Sequence, residues 1–82
     1  MLIYIEVNTP GNGKVYDFKL DAHLNTAQVT EKIKQAIMNL EEQSITFATQ
    51  SVLYSLTKGR ILNKDLSLFE NGIDSGQTLG LL

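Results

Sequence analysis

Alternation opens the chain. From Met1 to Val7, the residues Ile3, Ile5 and Val7 share one face of an extended segment, while Leu2, Tyr4 and Glu6 share the other. A period of two in β-branched residues predicts a strand with one face buried. Residues 8–13 read Asn-Thr-Pro-Gly-Asn-Gly, all turn formers. Alternation resumes from Lys14 to Leu20, with Tyr16, Phe18 and Leu20 set against Val15, Asp17 and Lys19. Two such runs across a short turn predict an antiparallel hairpin. The period then changes. Val29, Ile33, Ala36, Ile37 and Leu40 recur at helical spacing and predict an amphipathic helix of about 15 residues. Asn25 is placed to cap its start by accepting from the amide three residues on, with Gln28 at the partner position of a capping box. Glu41 and Glu42 oppose the helix dipole, so the helix is expected to stop between Asn39 and Glu41.

Beyond the helix the pattern weakens and then returns. Residues 43–51 have no clear period, although Ile45 and Phe47 are expected in the core. Val52 to Thr57 and Arg60 to Leu62 flank Lys58-Gly59, which reads as a two-residue hairpin turn with Gly59 supplying a positive φ. Residues 63–76 are rich in turn formers, with Leu66, Leu68, Phe69 and Ile73 as anchors and a helical or 3₁₀ turn expected near 66–70. Gln77 to Leu82 reads as a closing strand. The order is strand, strand, helix, strand, short strand, strand. One helix must cover one face of a mixed four- to five-stranded sheet, which is a two-layer α+β arrangement. With the first and last strands central and parallel, the topology is a β-grasp, expected as a single domain over residues 1–82.

Composition then narrows the chemistry. The 82 residues hold seven basic against nine acidic side chains, one histidine and no cysteine. That excludes a disulfide framework, an iron–sulfur site and a thiolate zinc site, and one imidazole cannot build a metal cluster. No cofactor is expected. A net charge of −2 argues against nucleic acid as partner, since phosphate binding needs a basic surface. No signal-like start and no membrane-length apolar run is seen, so the expectation is a cytoplasmic protein without direct membrane insertion.

Three motifs invite chemistry and none sustains it. Gly11-Asn12-Gly13-Lys14 lacks the spacing and the following helix of a phosphate loop, so it reads as the hairpin turn. His23, near Asp21 and Asp17, has no serine or cysteine placed to serve as nucleophile and reads as an exposed loop residue. Lys58, Arg60 and Lys64 form a small basic cluster at the third hairpin, either a solvated tip or a contact for an acidic partner. The chain is therefore expected not to be an enzyme.

The whole chain resembles ubiquitin-like proteins. The matching residues are the hairpin, the capped helix with Val29 and Ile33, the Gly59 turn, and the closing Gly72-Ile73 through Gly76, Thr78-Leu79 and Leu81-Leu82. Within that class it is similar to the YukD/EsaB group, small ubiquitin-fold proteins of type VII secretion systems in Gram-positive bacteria. The text that carries this is Tyr16-Asp17-Phe18, then Thr57-Lys58-Gly59 followed by Ile61-Leu62, and Asn71 to Gly76 running into Leu81-Leu82. The resemblance implies a cytosolic accessory or regulatory component that binds another protein of the apparatus. The alternative is a stand-alone homodimeric adaptor unrelated to secretion. Ubiquitin-like modifiers need a flexible Gly-Gly tail, whereas Leu81-Leu82 falls in the predicted last strand, so conjugation is not expected.

The resemblance also bears on where a partner docks. In ubiquitin-like proteins the sheet face away from the helix is the usual docking surface, and here Leu2, Tyr4 and Leu82 fall on it by alternation. Two registers compete for residues 52–57. Binary pattern alone puts Val52, Tyr54 and Leu56 inward; the resemblance, anchored on Thr57-Lys58-Gly59, puts Leu53, Ser55 and Leu62 inward. A two-residue turn would pair Leu56 with Ile61 and Ser55 with Leu62. Weighting the turn over the binary pattern selects the second register. It leaves Val52, Tyr54, Leu56 and Ile61 beside Tyr4 and Leu82 as one large apolar patch. The expected protein-binding residues are Leu2, Tyr4, Tyr54, Leu56, Lys58, Arg60 and Leu82.

Overall fold

The computed structural model describes residues 1–41 and 51–82. The expected core positions Ile45 and Phe47 lie outside that range. The elements are β1 (Leu2–Thr9), β2 (Lys14–Asp21), α1 (Thr26–Leu40), β3 (Leu53–Ser55), β4 (Arg60–Ile61) and β5 (Thr78–Leu81). They form a five-stranded sheet in the order β2-β1-β5-β3-β4, with β1 and β5 parallel and the remaining pairs antiparallel. This is the β-grasp arrangement that the alternation predicts.

The first hairpin forms because both strands alternate in step. Ile3 pairs with Leu20, Ile5 with Phe18 and Val7 with Tyr16, so the apolar members of both strands share the helix-side face. Gly13, at φ 69°, completes the turn, and its amide donates to the Thr9 carbonyl. Asn25 caps α1, but its side chain accepts from the Ala27 amide at 2.8 Å, one residue nearer than expected. The helix ends at Leu40 with Glu41 as its C-cap, inside the span that the charge pattern predicts.

Val29, Ile33 and Ile37 are fully buried and meet Ile3, Ile5, Val7, Leu53, Leu79 and Leu81 from the sheet. Burying one such side chain is worth about 1.5–3 kcal/mol, so three of them hold the helix to the sheet against its marginal intrinsic stability. Thr26 and Thr30 join the buried stripe, with the Thr30 hydroxyl donating to the Thr26 carbonyl at 2.8 Å, which is how a β-branched polar residue enters a core satisfied. The expected stripe fails at its end: Leu40, the last helical residue, is 66% exposed, and Ala36 is half-buried.

Between β4 and β5 the chain is organised by one side chain. Asn71 is buried, its amide nitrogen donates to Thr26 Oγ1 and to the carbonyls of Asn63 and Ser67, and its Oδ1 accepts from the Asn63 amide. Those bonds fold residues 63–72 under the start of α1, where Leu68 and Ile73 complete the core. Hydrogen-bonded turns cover the region expected to be helical or 3₁₀. Phe69 is not an anchor. It is 54% exposed and packs its ring on His23, 5.2 Å between centroids.

Candidate protein-docking face

Ser55 decides the geometry of the second half of the sheet. Its carbonyl accepts from the Gly59 amide at 2.8 Å, and its hydroxyl accepts from the Lys58 amide at 2.9 Å. Both bonds close residues 56–59 into a four-residue loop, with Gly59 at φ 70°. The expected two-residue turn is therefore replaced: Ser55 pairs with Arg60 and Tyr54 with Ile61. Relative to the expected pairing the partner strand has slid by two residues. A slide of two keeps every side chain on its face, where a slide of one would exchange the faces. Leu53, Ser55 and Leu62 are buried, while Ile61 is 62% exposed. The inward set selected by the turn is the observed one, and the inward set selected by binary pattern is not.

The face of the sheet away from α1 reads in rows, from the cross-strand pairings. One row runs Val15, Asn8, Gly80, Tyr54, Ile61 across all five strands. Leu82 lies opposite Val52 in the adjacent row, on the side away from Glu6, held by paired backbone bonds of 2.9 and 3.2 Å. The next row is Asp17, Glu6 and Thr78, with the Leu56 amide donating to the Thr78 carbonyl. Beyond it lie Lys19 with Tyr4, then Asp21 with Leu2.

Gly80 is fixed here by space rather than by φ. A Cβ at this position would run into the Tyr54 ring, so the ring lies across the glycine backbone. That contact half-buries Tyr54 and makes the middle of the face flat. Tyr54, Ile61 and Leu82 rim a shallow depression with Gly59 and Arg60. Leu2, Tyr4 and Leu82 are each more than half exposed.

The expected single patch is thus two. Tyr4 and Leu2 lie toward one end and Tyr54, Ile61 and Leu82 toward the other, because the Glu6–Asp17 row comes between them. Leu56 sits at the margin, 45% exposed. Lys58 and Arg60 are both exposed, and Arg60 lines the depression. Both side chains converge on Gly72, and Arg60 Nη2 donates to the Asn71 carbonyl at 2.7 Å, so its charge steadies the loop. Lys64 is elsewhere, its carbonyl taking the Ala27 amide at the start of α1.

One polar cluster had no counterpart in the sequence reading. Glu41 accepts from Lys14 Nζ at 2.9 Å and from the Tyr16 hydroxyl, tying the first hairpin to the end of the helix. Tyr16, then Lys14, holds the Glu41 carboxyl below the ordinary carboxylate range. The hydrogen bond to Glu41 raises both Lys14 and Tyr16 in return. Lys14 is the lysine of the phosphate-loop-like stretch, and the Asn12 side chain accepts from its amide at 3.0 Å, so that stretch is a hairpin turn. His23 donates its backbone amide to Asp21 at 2.9 Å. Among the described residues no group of three metal-ligating side chains assembles, and no described helix is long and apolar enough to cross a membrane.

The strand order and the single helix over the sheet make the fold a ubiquitin-like β-grasp. No family model and no curated relative matches the sequence. Solved structures do match. The N-terminal ubiquitin-like domain of the 4931431F19Rik protein superposes with a TM-score of 0.75 at 23% identity, over 99% of this chain and 73% of that one. The ubiquitin-like domain of Plasmodium falciparum Dsk2 gives 0.71 at 18% identity, over 99% and 96%. A chain of the toluene 4-monooxygenase HD complex gives 0.81 at 12% identity, again over 99% and 96%. At these identities the likeness is one of fold.

Proposed function

We propose that this chain is a non-enzymatic ubiquitin-like module that acts by binding another protein through its open sheet face. The observation that carries the reading is the exposure of Ile61, Leu82, Tyr4 and Leu2 on one face of a small domain. Apolar side chains gathered on a surface are the signature of an interaction site, whereas single exposed ones are not. The finer assignment is to an accessory or regulatory component of a bacterial type VII secretion system, working in the cytoplasm on a protein of the apparatus. It is supported by the resemblance carried by Tyr16-Asp17-Phe18, Thr57-Lys58-Gly59 and Asn71 to Leu82.

A photo-crosslinking amino acid placed at Tyr54 tests this in cells that carry such a system. The expected product is an adduct with a component of the secretion apparatus, lost when Ile61 is changed to aspartate. An adduct of twice the chain mass as the sole product would replace the reading with the homodimeric adaptor.

A further inference from the structure

The row between the two apolar groups carries charge of one sign. Glu6 and Asp17 stand directly opposite each other across β1 and β2, and both are exposed. Like charges in that position repel and weaken the pairing of the strands. Neither is in an ion pair: those among the described residues are the Met1 amino group with Asp21, Lys14 with Glu41, and Lys34 with Glu31. Lys19, the next residue on the same face of β2, instead holds its Nζ 5.6 Å from the centre of the Tyr4 ring. Arg60 is committed to the Asn71 carbonyl. The face therefore holds two carboxylates outside any ion pair, between two apolar groups, with Lys19 in the adjoining row.

Resting on the docking reading above, we infer that this face takes a protein segment bearing a lysine or arginine flanked by apolar side chains. The cation seats over Glu6 and Asp17, one apolar neighbour meets Tyr4, and the other meets Tyr54 with Ile61. Tyr4 lies one row from Glu6 on the same strand, about 7 Å, which an extended segment spans in two residues. Tyr54 lies one row away in the other direction and two strands across, with β5 between, about 12 Å, which an extended segment spans in about four. Charge complementarity selects this occupant. An acidic segment would add a third like charge, and a second copy of this chain presents the same two carboxylates.

The test is a titration of the isotopically labelled chain followed by amide NMR shifts. The probes are two synthetic peptides of about a dozen residues, identical except that the residue between the flanking leucines is arginine in one and glutamate in the other. The arginine peptide is expected to move the amides of Tyr4, Glu6, Asp17 and Gly80, and to bind more weakly as salt is raised. The double variant Glu6→Gln, Asp17→Asn is expected to bind it about tenfold more weakly, the loss of roughly one charged contact. The same variant should melt higher than the parent, because the repulsion is gone. A purely structural role for the pair would not move binding and stability in opposite directions. If the glutamate peptide binds the same amides as tightly, the docking face stands and the charge assignment is overturned. The inference is also overturned if the arginine peptide leaves these amides unmoved, if the double variant binds it equally well, or if the amides shift with protein concentration alone.

Discussion

A missing side chain shapes the centre of the proposed binding face. Gly80 leaves the space that the Tyr54 ring occupies, so the aromatic lies down instead of standing off the sheet. Gly80→Ala is expected to cost about 1–3 kcal/mol, the range for forcing extra volume into a packed site. Tyr54→Ala made in the same chain should recover part of that cost, since the two residues compete for one volume. Urea unfolding of the two single variants and the double variant measures the coupling; strict additivity would show that the ring is free to move aside. At the helix start, Asn25→Ala should cost about 1 kcal/mol, the usual worth of an N-cap. For a domain of this size that is a fall in melting temperature of about 4–8 °C, readable by circular dichroism. The cap was legible because capping needs only a short polar side chain before a periodic run. The glycine was not, because nothing local distinguishes a glycine kept for space from one kept for φ.

At the scale of elements, periodicity carried the prediction wherever the strands or helix were long. The eight-residue strands β1 and β2 and the helix α1 emerged with the expected faces. Short elements obeyed local bonding instead. β3 has three residues and β4 two, and the bonds to Ser55 fixed their register two residues away from the expected pairing. Phe69 was expected inside as an apolar anchor and Leu40 from its helical spacing, and both are exposed. The Glu41 clamp escaped the sequence because it joins residues 27 positions apart, with no shared period to link them. It gives the fold a pH dependence of definite sign. Glu41 and Asp21 both titrate below the ordinary carboxylate range, Glu41 through Tyr16 and Lys14, and Asp21 chiefly through the His23 amide. Their contribution is complete above that range, about pH 4, and is lost as pH falls through the depressed values. The urea midpoint should therefore fall on acidification, and Glu41→Gln should flatten that limb. An acid limb as steep in Glu41→Gln as in the parent would remove the clamp from the explanation. Lys14 and Tyr16, both raised, set the opposite limit: their contribution is lost as pH climbs through their folded values, above about pH 10.

For the molecule as a whole, the two sides of the sheet have different tasks. One side meets α1 and is filled by apolar residues that alternate inward. The other carries apolar side chains that the fold does not need, arranged around an acidic row. The site was legible in outline, since alternation places Leu2, Tyr4 and Leu82 outward without reference to any partner. Its division into two apolar groups was not, because that follows from which rows β1 and β5 bring into register. Lys58 and Arg60 could not be assigned from sequence, since only the folded loop puts Gly72 beneath them. Ile61 and Leu62 test the account most directly, being neighbours in sequence on opposite sides of the sheet. Ile61→Asp should leave the melting temperature within about 2 °C of the parent, as for a typical surface change, while abolishing the crosslink from position 54. Leu62→Asp, which buries an unpaired charge, should unfold the domain. If Ile61→Asp unfolds the chain, or if it leaves the crosslink intact, the open face is not the binding surface.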